Sequence, residues 1–181
     1  MSNAYLFLVV QNWHRMALIP VESVSSYDTR QWKYDVFLSF HGDDNRVCFT
    51  DHLYAALKQE GINIFTEDVE FQKGSCIEPA LLKAIGESRI SVIILSGRYA
   101  SSTWCLIELV EILKCREEKG QIVLPVFYHV HPSDVRHQKG SFEEAFAMHE
   151  ERFKENLEQV QTWRSALTEV ASLSGLDLQD G

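Results

Sequence analysis

The chain is short of basic charge, of metal-binding patterns and of long apolar runs. Its 17 Lys and Arg face 26 Asp and Glu, a formal net charge of −9, and no Lys/Arg run occurs. That balance argues against a general nucleic-acid binder, because such proteins gather cations on one face to meet phosphates. The apolar run Tyr5–Val10 is too short to span a bilayer. No basic residue precedes it, as a signal peptide requires, so no membrane role is expected. The four cysteines, Cys48, Cys76, Cys105 and Cys115, contain no C-x-x-C and match no zinc spacing. They read as reduced thiols packed like small hydrophobes, which implies a reducing compartment. Lys73-Gly74 is no phosphate loop, since the G-x-x-x-x-G-K-[ST] spacing is missing. No internal repeat or low-complexity tract is present.

What remains is ordinary globular material: 181 residues, 45% hydrophobic and 24% charged, enough for one domain with a full core. Residues 1–32 read as an extension outside the fold, tag-like or disordered. Ser2-Asn3-Ala4 resembles a tag-cleavage scar, and Met16 offers an alternative start. Beyond it, strands and helices alternate. Tyr34–Phe40 is a strong strand, followed by a polar cluster after Gly42. Phe49, Leu53 and Leu57 recur every four residues and predict a helix over 46–60, ended by Gly61. Residues 62–65 form a short strand, and the acidic stretch 66–74 an exposed loop.

Ser75 and Glu78 form a capping box for a helix over 77–87. Residues 90–95 are a nearly unbroken apolar strand, as expected of one buried on both faces. Ser101-Ser102-Thr103 offers caps for a helix over 104–117, with Leu106, Leu109, Val110 and Leu113 inward and Gly120 as its stop. Residues 122–130 make the fourth strand, interrupted only by Pro125. Pro132-Ser133-Asp134 reads as a turn. Ser141 with Glu144, and Asn156 with Gln159, read as two further capping boxes. The second opens a helix carrying Val160, Trp163, Leu167 and Val170. Leu176–Leu178 closes the series as a short strand.

Strands and helices alternating at this spacing predict a flavodoxin-like α/β domain: a doubly wound, parallel five-stranded sheet of order 2-1-3-4-5. The chain then leaves strands 1 and 3 in opposite directions, and ligands of such folds bind in the crevice at their C-terminal ends. The loops His41–Arg46 and Ser96–Thr103 flank that crevice, and Glu108 lies one turn into the helix beyond. Taken alone, Glu108 reads as a solvated helix residue, Trp104 as a core anchor and Arg46 as a first-turn surface residue.

The run Tyr34-Asp35-Val36-Phe37-Leu38-Ser39-Phe40-His41-Gly42-Asp43-Asp44-Asn45-Arg46 resembles the opening motif of plant Toll/interleukin-1 receptor (TIR) domains. Similar matches are Leu81-Leu82-Lys83-Ala84-Ile85, Glu87-Ser88-Arg89, Tyr99 through Leu109, Pro125-Val126-Phe127-Tyr128, Pro132 through Arg136, and Trp163 through Leu167. The resemblance covers residues 33–178 in order, leaving 179–181 as a tail. It implies a TIR domain from a TIR-NB-LRR-type disease-resistance protein, acting in the cytoplasm or between nucleus and cytoplasm. The family's last helix, after the fifth strand, is expected to be missing.

Members of this family cleave NAD⁺ or NADP⁺ between nicotinamide and ribose, and the matching glutamate is Glu108. Nicotinamide leaves as a neutral group from a cation, so it needs no acid. A carboxylate can stabilise the oxocarbenium charge that develops on the ribose. The resemblance implies substrate contacts from Phe40, His41, Gly42, Arg46 and Trp104. The dinucleotide is a substrate, and no cofactor or metal is called for. His129, His131 and His137 lack an identifiable further ligand and read as surface or packed histidines; alternation would place His129 and His131 on one face. One departure stands out. Many plant members carry Arg-Gly-Glu-Asp-Thr-Arg where this chain has His41 through Arg46. A neutral, shorter His41 cannot grip a phosphate bidentately, which implies weakened activity.

Other TIR domains are the partners implied, through two surfaces. One is a Ser-His pair on the first helix, here Asp51-His52. The other centres on Gly175, here followed by Leu176 rather than Trp. Both departures imply weak self-association in isolation. The competing expectation is a TIR module with little or no catalysis, acting through TIR–TIR contacts only. A phosphoacceptor receiver shares the fold but is excluded, because strand 3 ends Leu95-Ser96 with no acceptor Asp.

Overall fold

The computed structural model describes residues 7–12, 15, 32–42, 49–65 and 77–179. Its elements are β1 (Tyr34–Phe40), α1 (Phe49–Gln59), β2 (Ile64–Phe65), α2 (Ile77–Gly86), β3 (Ser88–Leu95), a 3-10 turn (Tyr99–Ser101), α3 (Thr103–Lys119), β4 (Ile122–Tyr128), α4 (Pro132–His137), α5 (Ser141–Arg152), α6 (Leu157–Val170) and β5 (Leu176–Leu178). The strands form one sheet of order β2-β1-β3-β4-β5, and every pairing is parallel. This is the expected topology. The position of the switch between β1 and β3 follows from it.

Strand alternation divides the core in two. Phe37, Ile93, Leu95 and Phe127 face a cluster with α2, α3, α5 and α6. Val36, Leu38, Ile90, Val92, Ile94, Leu124, Val126 and Leu178 face the other side, where α1 packs. Val9, from a helical segment over residues 7–12, is also buried in this second cluster. Successive β3 residues therefore feed opposite clusters, which explains the unbroken apolar run.

Local chemistry sets the helix ends. Ser102 caps α3 by accepting from the Cys105 N–H, and Gly120 closes it in the left-handed conformation at φ 69°. Asn156 caps α6 by accepting from the Gln159 N–H. Its side-chain amide also donates to Gln159 Oε1 at 3.2 Å. Two expectations need correction. Pro132-Ser133-Asp134 does not turn the chain; it opens α4, with Pro132 at the first helical position and His131 Nδ1 accepting from the Ser133 N–H. Nor does Ser141 cap α5. The cap is Gly140 at φ 61°, a conformation glycine adopts readily, with no side-chain bond. The Ser75 box, Cys48 and Cys76 lie outside the described residues, as does the loop over 66–74. Cys105 and Cys115 are buried thiols that form no disulfide. Among the described residues no helix is long and apolar enough to cross a membrane.

Candidate functional site

Two groups of buried polar side chains sit at opposite ends of the sheet. At the N-terminal end, Gln121 donates to the carbonyls of Ile85 and Ser88, both at 2.7 Å. It accepts from Ser91 at 3.1 Å. Ser88 in turn donates to the Ala84 carbonyl. That group ends on backbone carbonyls and ties strands to α2. The group at the C-terminal end is different in kind, because it ends on a carboxylate.

That carboxylate is Glu108, only 4% exposed. It lies on the inward phase of α3, which runs Cys105, Glu108, Leu109, Ile112 and Cys115. The solvated-residue reading is thus overturned by helical phase: residues three and four apart share a face, and here that face is the core. A buried carboxylate costs several kcal/mol unless hydrogen-bonded (roughly the penalty for a desolvated ion). Ser39, from β1, donates to Glu108 Oε2 at 2.5 Å. Tyr99, from the 3-10 turn, contacts Ser39 Oγ at 2.8 Å and donates to the Cys105 carbonyl at 3.0 Å. Burial holds the Tyr99 phenol well above its usual range, with Cys105 and Glu108 adding to the shift. The phenol therefore stays protonated and remains a donor. Cys105 Sγ donates to the Phe40 carbonyl at 3.5 Å, which ties α3 to the end of β1.

The site thus joins β1, the turn after β3 and the first turns of α3. Phe40, His41 and Gly42 are half-buried at the end of β1, and Phe40 packs against the second core cluster. Trp104, at the start of α3, is 42% exposed. It is no core anchor, and its indole is available at the surface. Arg46 lies outside the described residues. Asp51 and His52 are exposed in the first turn of α1. Gly175 lies against Pro125 and Phe127 of β4.

The histidines of the β4 end do not converge. His129 adopts φ 53°, which breaks the strand alternation that would have aligned it with His131. His131 caps α4, and His137 Nδ1 bonds the Ser133 carbonyl at 2.9 Å. Among the described residues no group of three His, Cys, Asp or Glu is placed to hold a metal. Ser39 and Tyr99 are the contributors missed in the sequence. The available signal was a lone hydroxyl in the apolar stretch of β1 and a tyrosine in the loop at the switch point.

Comparison with known proteins decides the family. The TIR domain family model matches residues 33–180. This chain belongs to the TIR domain family. It is 55% identical over 151 residues to disease resistance protein RPV1 of Vitis rotundifolia, covering 83% of this chain and 10% of that protein. It is 48% identical over 151 residues to TMV resistance protein N of Nicotiana glutinosa, covering 83% and 13%. The TIR domains in the activated Roq1 resistosome, a structure described as directly recognising the pathogen effector XopQ, superpose with a TM-score of 0.76. They share 50% identity, covering 80% of this chain and 87% of that one. The chain therefore spans 10% and 13% of the length of the two curated relatives and nearly the whole of the solved TIR chain.

Proposed function

We propose that this TIR domain hydrolyses NAD⁺ or NADP⁺ at the nicotinamide–ribose bond and signals in plant immunity as an assembly of TIR domains inside the cell. The observation that carries the reading is Glu108, a buried carboxylate held by Ser39 at the C-terminal edge of the sheet, beside the β1/β3 switch. A carboxylate out of water acts strongly on charge that develops near it, because solvent screens it less. The bond to be broken joins ribose to a pyridinium. As it lengthens, positive charge moves to the sugar and nicotinamide departs neutral. Glu108 stabilises that charge and orients the ribose, water completes the hydrolysis, and Trp104 offers a face for a ring to stack on. The likeness to disease-resistance proteins supports the immune setting, and the likeness to the resistosome domains supports assembly, with Asp51, His52 and Gly175 at the candidate contacts.

The test is nicotinamide release from NAD⁺ and NADP⁺ by the concentrated chain under crowding, followed by chromatography. Release that scales steeply with protein concentration is the expected result. His41 favours the second reading, an interaction module with little turnover, because it stands where many plant members carry Arg. His41→Arg should raise turnover about tenfold, the worth of one added charge-assisted phosphate contact. If neither wild type nor His41→Arg releases nicotinamide while sedimentation shows the chain assembled, the module reading replaces the enzyme.

A further inference from the structure

Ser39 is buried and has one hydroxyl hydrogen. That hydrogen is directed at Glu108 Oε2, so at the 2.8 Å contact with Tyr99 the serine oxygen accepts. Tyr99 likewise has one hydrogen, shared between Ser39 Oγ and the Cys105 carbonyl. Two of these contacts run in one direction, from phenol to hydroxyl to carboxylate, and each donor polarises the next; the third branches from the phenol to the Cys105 carbonyl. The same tyrosine is anchored to α3 through the Cys105 carbonyl, three residues before Glu108. Strand, turn and helix are thus joined at the carboxylate by two hydroxyls.

We infer that Ser39 and Tyr99 are positioning residues for Glu108: together they fix Oε2 in place and hold the carboxyl in its charged form. Charge-assisted hydrogen bonds are about twice as strong as neutral ones. Ser39 therefore favours ionised Glu108 more than it would favour the acid, although it can accept a proton from the acid. Among the described residues, Tyr99 from the turn and the Cys105 thiol from α3 are titratable groups beside the chain of hydroxyls. His41 leaves the end of β1 two residues beyond Ser39. Burial keeps Tyr99 protonated, so the donor persists wherever the fold does. The consequence for catalysis rests on the proposed hydrolysis; the consequence for charge does not.

The experiment is a carbon-13 NMR titration of the full chain labelled at glutamate, with the Glu108 carboxyl resonance identified by its loss in Glu108→Gln. Ser39→Ala should raise the Glu108 midpoint by about one pH unit, the loss of one hydrogen bond to the charged form. Tyr99→Phe keeps the ring in its buried site and should raise the midpoint by less, so it decides the matter if Ser39→Ala folds poorly. Amide spectra remote from the site should stay unchanged. In the nicotinamide assay Ser39→Ala should lower kcat about tenfold with KM little changed, and the acid limb of the rate profile should move up with the midpoint. Midpoints that rise without any turnover would sink the hydrolase reading and keep the positioning role. Midpoints that stay put in both variants, with turnover intact and dependent on Glu108, would overturn the positioning role and keep the hydrolase.

Discussion

Glu108→Gln should lower nicotinamide release at least about a hundredfold, the usual consequence of removing one preorganised electrostatic group from a reacting centre. The substitution keeps size and shape, and Ser39 can still donate to the remaining carbonyl oxygen. What disappears is the negative charge that the proposed hydrolysis requires beside the ribose. The cost to folding is that of placing an amide where a carboxylate was bonded, about 1–2 kcal/mol, or a thermal shift of a few degrees for a chain of about this size. Activity and stability are thereby separated. Glu108→Ala separates them less well: it empties a site 4% exposed and leaves Ser39 facing a cavity, so lost packing contributes to any lost rate. A Gln variant that keeps more than a tenth of wild-type turnover would remove Glu108 from the chemistry.

The doubly wound sheet was legible because its signals are local and redundant. Apolar β-branched strands, helical stripes and caps at Ser102 and Asn156 each follow from neighbours in sequence. Glu108 was singled out by resemblance, yet its burial was readable too, since Cys105, Leu109 and Ile112 bracket it on one helical stripe. What could not be read was the partner that makes burial tolerable. Ser39 lies 69 residues away in sequence, and nothing in the strand pattern distinguishes a hydroxyl that meets a carboxylate from one that merely fills space. Short-range chemistry failed where two local preferences competed. Pro132 serves a turn or a first helical position equally well, and the histidine cap at His131 decides between them. At the start of α5, Gly140 takes the cap from Ser141 because the chain must leave Gln138 through backbone that glycine adopts readily.

Gly175→Ala should destabilise the domain by about 2–3 kcal/mol, the range of an overpacked substitution that cannot relax. A Cβ at this position would lie 2.4 Å from the Pro125 carbonyl oxygen, 2.7 Å from its ring Cγ and 3.1 Å from the Phe127 ring. The first contact is backbone and the second a rigid ring, so no rotamer change can make room. The glycine stands immediately before Leu176, which begins the pairing of β5 with Val126 of β4. Moving it displaces the edge strand from the sheet. Thermal denaturation should show a fall of roughly 5–10 °C that is the same in dilute and concentrated protein. A residue needed only for TIR–TIR contact would behave otherwise: its loss would leave the dilute transition in place and weaken association alone. If Gly175→Ala melts with the wild type, the close approach to Pro125 is not what the glycine provides, and only the proposed assembly role is left for it. If it melts early, the glycine is required by the sheet edge, and any loss of assembly measured in the variant follows from a displaced β5.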